Sequence, residues 1–213
     1  MPGTVLLTGF EPFGGDPINP SWEVARQLDG CVLAGGQRVQ ALQLPCVFST
    51  AWPMLRQAIE AGPAPALVMA LGLAASRTEL CVERVALNWV DARIPDNAGE
   101  QPLDQPILPE SPLAWRSRLP VKAMVQAMQA VGAPAAVSYT AGTFVCNQLL
   151  FLLSDYLEQH PGLRGGFMHV PPFADEAGAR GVPIGLQTRA VRAALEAALA
   201  RQHDAALVGG PLD

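Results

Sequence analysis

Short apolar runs alternate with helical patterns along almost the whole chain, and no other feature of the sequence constrains the fold as much. Residues 5–8, 39–44, 66–71, 82–89, 135–139 and 166–170 are short, apolar and rich in strand-forming residues. Helical patterns fill the intervals. One opens at NPSWE (19–23), with Asn19 or Ser21 as its cap and Glu23 in its first turn. A second covers 49–61 with Ser49 as its cap, and a third covers 120–131 with Pro120 in its first turn and Gly132 beyond its end. A fourth opens at Thr143 or Asn147 and runs to about 159, and an Ala-rich fifth covers 187–202. This order predicts one α/β domain over residues 1–213, layered around a largely parallel sheet. Such sheets gather their sites where strands end, beside helix N-termini. Residues 95–119, rich in Pro and Asp and without a period, are expected to form a long surface loop, and 209–213 to fray.

Half of the 213 residues are apolar and only 15% are charged, against roughly 25% in an average globular domain. A sizeable core can be buried, but little polar surface remains, and association of copies would relieve that. The net charge is −5 with no run of like charge, which argues against nucleic acid, an anionic membrane or a polybasic partner. The apolar run at 5–10 is too short for a signal peptide and follows no Lys or Arg. The uncharged stretch 123–154 is broken by Gly132, Pro134, Gly142 and Asn147, so it does not read as a membrane span. The four cysteines follow no C-x-x-C spacing, and a cytoplasmic chain with reduced thiols is expected.

Cys146 ends the run TAGTFVC (140–146), between a predicted strand and a predicted helix. There the orphan amides and dipole of a helix N-terminus favour a thiolate, and the same amides can hold an oxyanion. Cys31, Cys46 and Cys81 lack this placement and read as core or surface thiols. Of three histidines, His160 and His203 read as surface residues, whereas His169 sits near the end of an apolar strand. The spacing from Cys146 to His169 fits one helix and one returning strand, and a right-handed crossover would bring the two together. An imidazole base needs a third group to fix its tautomer, and Glu83, Asp91 and Asp96 are all candidates. The run TGFEPFGG (8–15) has neither the G-x-G-x-x-G spacing nor the Lys-Ser/Thr end of a phosphate loop. Its two aromatics on a glycine-supported loop suit a flat, neutral ligand.

These segments, with NPSW (19–22), ERVA (83–86), DARIPDN (91–97), TAGTFVCN (140–147) and GGFMHVP (165–171), together resemble the pyroglutamyl peptidase I family. The resemblance implies a twisted α/β sheet sandwiched between helices and a Cys–His–Glu triad at Cys146, His169 and Glu83. It implies that Arg93 lies near the site and assists the oxyanion. It implies that Phe10, Phe13 and Phe144 line a pyrrolidone pocket with Asn19 nearby, and that the substrates are peptides with an N-terminal pyroglutamate. It further implies a homo-oligomer, tetramer or dimer, needing no metal or organic cofactor. The chain departs from the family pattern at Leu73, a substrate-loop position that often holds Gln, at Ala75-Ser76 in place of Gly-Gly, and at Gln148 in place of His.

Overall fold

Two-sided burial is the reason the central segments 67–73 and 165–170 carry almost no polar residues. The computed structural model describes residues 3–174, 181–204 and 206, so the fraying expected of 209–213 lies outside the described residues. The elements follow in the order β1 (Thr4–Phe10), α1 (Pro20–Leu28), β2 (Arg38–Leu44), α2 (Ala51–Glu60), β3 (Leu67–Leu73), β4 (Leu80–Glu83) and β5 (Val85–Leu87). They continue with β6 (Ala114–Arg116), α3 (Val121–Ala130), β7 (Ala135–Ser138), α4 (Val145–Gln159), β8 (Gly165–Val170) and α5 (Ile184–Ala200). The main sheet has the order β2-β1-β3-β8-β4-β7. Its pairings are parallel except for β4 against β8.

Alternate strand residues feed two cores. On one face Val5, Leu7, Leu67, Met69, Leu71, Met168 and Val170 pack with α1, α3 and α5. On the other, Leu6, Val68, Ala70 and Phe167 pack with α2 and α4. Leu80 and Val82 belong to the first core, so Cys81 and Glu83 face the second. By the same parity, His169 shares the α4 face with Phe167, and Gly72 shares it with Ala70. The three strand positions from which a site is assembled therefore lie on one sheet face.

Several local expectations are corrected. The run 82–89 is not one strand. At Arg84 the chain changes partners: its N–H donates to Ser138 in the main sheet, while its carbonyl accepts from Ser117. From there β5 pairs antiparallel with β6, inside the stretch expected to be structureless. That stretch is also pinned at Asp96, whose buried carboxylate accepts from the amides of Phe48, Ala98 and Glu100.

The caps differ too. Asn19 caps α1 by accepting from the Ser21 amide, with Pro20 as the first helical residue. Ser49 does not cap α2, because its hydroxyl donates to Glu100 and Thr50 occupies the cap position. Pro120 stands at the cap of α3, just before its first turn. Neither Thr143 nor Asn147 caps α4. Phe144 holds that position without a side-chain bond, while the Thr143 hydroxyl donates to the Asp91 carbonyl. Asn147, fully buried, instead bonds the backbone of Leu87 and Trp89 and ties α4 to the β5 segment. Finally, β8 does not return beside β7. β4 lies between them, and β8 runs antiparallel to both.

Candidate active site

The site begins with a missing side chain. Gly72 in β3 pairs with His169 in β8. A Cβ on Gly72 would stand 2.8 Å from the Cys146 Sγ and 2.7 Å from the Phe167 Cζ. The thiol therefore fills the space over Gly72, on the sheet face that carries the imidazole. Gly72 is what relates cysteine and histidine: the thiol at the start of α4 lies over it, and the imidazole stands on its ladder partner in β8. The parallel return beside β7 that the sequence spacing suggested is not what the sheet shows.

His169 is 4% exposed, and its Nδ1 lies 2.8 Å from Glu83 Oε1. Glu83 is fully buried. An ionised carboxylate only accepts, so Nδ1 is the donor in this pair, and in the neutral ring Nε2 keeps its lone pair. Phe167 packs against the ring with centroids 4.9 Å apart and helps fix its plane. Of the three carboxylates open in the sequence, only Glu83 reaches the histidine. Asp96 is consumed by three amides, and Asp91 is exposed, with its backbone tied to Thr143.

Glu83 has a second partner that the sequence reading missed. Arg77 Nη1 donates to the same Oε1 at 2.8 Å, and Nη2 donates to Ser138 Oγ and to the Thr140 carbonyl. Arg84, the next residue in the chain, pairs instead with Asp204. Arg77 left one signal in the chain: it is the sole cation between Arg56 and Arg84.

Burial foremost pushes the Cys146 thiol above its ordinary range, and Cys46 and Glu83 add to the rise. Arg77 and the residue's own amide pull the other way. The helix terminus favours a thiolate, and burial opposes it at the same thiol. Its proton must pass to Nε2 of His169 for it to react.

Beside the thiol lies a cavity of about 280 Å³. Phe10, Phe13, Asn19, Leu73 and Phe144, all singled out from the sequence, line it, together with Cys46, Ala75, Asp16 and Ile18. Phe13 and Phe144 meet at a tilted 5.4 Å, and Phe48 stands edge-on behind Phe144 at 5.0 Å. The turn at Gly14 and Gly15, with φ of 67° and 88°, lets the loop fold back and present Phe13. Glu11 anchors that loop by accepting from the Cys46 amide and from Asn97 Nδ2. Burial pushes the Cys46 thiol up to about 12, with Glu11 and Asp96 adding, so it stays neutral in the wall. Asn19 has its Oδ1 committed to Ser21 and donates from Nδ2 to the Glu11 carbonyl, which makes it first a brace for the wall.

Arg93 is exposed, outside the cavity lining, and makes no ion pair among the described residues. Its segment is tethered to Thr143, one residue before the α4 cap. Gln148 lines a separate groove with Phe48 and Gln101, away from the thiol. Among the described residues, no cluster of three metal-binding side chains occurs and no helix is long and apolar enough to cross a membrane.

A buried carboxylate–imidazole pair beside a thiol at a helix N-terminus, opening on a small aromatic cavity, is suited to acyl transfer from a flat, neutral acyl group. Comparisons with known proteins identify the family. The profile of the pyroglutamyl peptidase family matches residues 3–201. A pyrrolidone-carboxylate peptidase of Klebsiella pneumoniae is 52% identical over 97% of this chain and 97% of its own length. One from Escherichia fergusonii is 52% identical over 92% and 91%. The crystal structure of pyroglutamyl peptidase I from Bacillus amyloliquefaciens superposes with a TM-score of 0.92 at 39% identity, covering 98% of this chain and 100% of that one. The pyrrolidone carboxyl peptidase of Thermococcus litoralis gives 0.87 at 35%, covering 93% and 94%.

Proposed function

The chain belongs to the pyroglutamyl peptidase family, and from that membership we propose that it cleaves the amide bond after an N-terminal pyroglutamate. In this reading Cys146 is the nucleophile, His169 the general base and acid, and Glu83 the group that orients the imidazole. The observation that carries it is the convergence over Gly72: the thiol above the glycine, the imidazole on its paired residue, and Glu83 on Nδ1.

Pyroglutamate is a neutral lactam with no α-ammonium, so carboxylates that anchor an ordinary amino terminus have nothing to grip. The Phe13–Phe144 wall and the protonated Cys46 offer the ring an uncharged face, with Asp16 at another part of the lining. With the carbonyl carbon above Cys146, Nε2 of His169 takes the thiol proton as sulfur attacks. The oxyanion is held by the Cys146 amide, with Arg93 swinging in from the tethered 91–93 segment. The imidazolium then protonates the leaving amine, the amide bond breaks and a thioester remains. Water, deprotonated by the same Nε2, releases free pyroglutamate. The scheme uses no metal or organic cofactor. Assembly of two or four copies in the cytoplasm belongs to the same proposal, supported by the low charge and by the exposed Leu103 and Leu113.

The test is a set of pyroglutamyl, prolyl and alanyl fluorogenic amides, each with and without iodoacetamide. Cleavage of the pyroglutamyl amide alone, abolished by alkylation, is expected. Equal turnover of the prolyl amide, or activity that survives alkylation, overturns the reading.

Leu73 supplies a graded check. It places an apolar side chain in the wall where an amide could bond the lactam. Leu73→Gln is expected to lower KM about fivefold, the worth of one net hydrogen bond of about 1 kcal/mol, with kcat changed less than twofold. Unchanged KM would mean that the lactam is held by backbone groups.

A further inference from the structure

The proposed reaction leaves one partly buried charge, Arg77, without a role. We propose that Arg77 is a positioning residue of this site: one guanidinium fork holds both the carboxylate that orients His169 and the loop that delivers Cys146. The inference rests on the hydrolytic reading above.

Arg77 leaves the turn before β4. Nη1 shares Glu83 Oε1 with the histidine, and Nη2 takes Ser138 Oγ and the Thr140 carbonyl. Ser138 ends β7, and Thr140 opens the run to α4, where the Thr140 hydroxyl accepts from the Gly142 amide. The imidazole partner and the entry to the nucleophile helix are therefore referred to one rigid group. A planar fork with fixed donor directions does this, and a single ammonium does not.

The charge matters as much as the shape. Glu83 is fully buried and its Oε2 has no partner, a costly place for an anion with nothing but a histidine beside it. Arg77 neutralises it. Glu83 can then hold Nδ1–H without placing a net negative charge under the thiol, which has to become an anion. The charged and titratable groups facing the thiol are Cys46 after β2, Glu83 of β4, Arg77 and, on β8, His169. Those facing Arg77 are Glu83 and Cys81, and Glu11 and Asp96 stand behind Cys46. Among them Arg77 is the fixed cation. Arg77 is absent from the cavity wall, so substrate binding should not sense it directly.

A stabilising ion pair and a positioning fork predict different results for Arg77→Met and Arg77→Lys. The measurements are kcat and KM for a pyroglutamyl amide, and the pH dependence of Cys146 alkylation by iodoacetamide. For Arg77→Met, kcat should fall at least about tenfold with KM within about twofold, and the alkylation inflection should rise by about one pH unit. Arg77→Lys keeps the charge and loses the fork. Its inflection should stay near the wild-type position while kcat falls by about fivefold. An Arg77→Met protein with wild-type kcat and inflection overturns the proposal, however far its melting temperature drops. Should Arg77→Met fail to fold, wild-type kcat in Arg77→Lys overturns the fork. A wild-type protein that leaves every pyroglutamyl amide intact defeats the hydrolytic reading alone, and the alkylation shift still decides whether Arg77 governs the thiol.

Discussion

Replacing His169 with alanine is expected to lower kcat/KM on a pyroglutamyl amide by about 10⁴-fold while leaving the fold intact. The fold should survive because Glu83 is not orphaned: Arg77 still donates to Oε1, so the lost imidazole bond costs on the order of 1 kcal/mol. The same variant separates two sources of thiolate. Burial raises the Cys146 thiol above the ordinary value of 9.0, so at any pH below that value few thiolates form unaided. In the wild type the proton has somewhere to go, and iodoacetamide should react well below pH 8. In His169→Ala the acceptor is gone, and alkylation should require a pH above 9. Fast alkylation of the variant at pH 7 would mean that the helix N-terminus and Arg77 ionise the thiol by themselves, and His169 would lose its role as base.

The parts of the molecule legible in the chain are those whose cause is local. β3 reads as a strand because both of its faces are buried and every residue is apolar. Cys146 reads as a helix-terminal thiol because TAGT supplies a turn and an apolar helix follows. The aromatic loop reads as a pocket wall because two glycines follow Phe13. What the chain hides is the identity of neighbours. Nothing near Arg84 announces that the hydrogen bonds pass from β7 to β6, because the apolar residues on both sides continue the same pattern. The spacing between Cys146 and His169 is equally compatible with a parallel return beside β7, and only the sheet order shows β4 inserted there. Glu83, Asp91 and Asp96 are chemically alike, and the choice among them depends on which one faces an imidazole 86 residues away. Arg77 is a lone cation whose meaning appears only once β4 and β7 lie side by side.

Gly72 is the extreme case of a residue explained entirely by its neighbours. Its φ lies outside the left-handed region, so alanine would meet no backbone strain there, and local sequence gives no reason for glycine. A methyl group would stand 2.8 Å from the Cys146 Sγ and 2.7 Å from the Phe167 Cζ, where contacts of about 3.5–4.0 Å are normal. Phe167 is fully buried and packed against His169, so the ring has little room to yield. The thiol sits on a single rotatable bond at the edge of a cavity and is the group that moves, by about 1 Å. Gly72→Ala should therefore cut kcat/KM about 100-fold, with a stability loss of about 1–3 kcal/mol from overpacking. The thiol itself should persist, so one equivalent of iodoacetamide should still be taken up at Cys146. Adding Phe167→Leu opens space on the other side of the methyl group and should return part of the lost kcat, although the shortened side chain lowers the melting temperature further. Activity and stability then move in opposite directions between the single and the double variant. A purely structural glycine would move them together, and wild-type turnover in Gly72→Ala would show that the reacting sulfur is not the atom lying over β3.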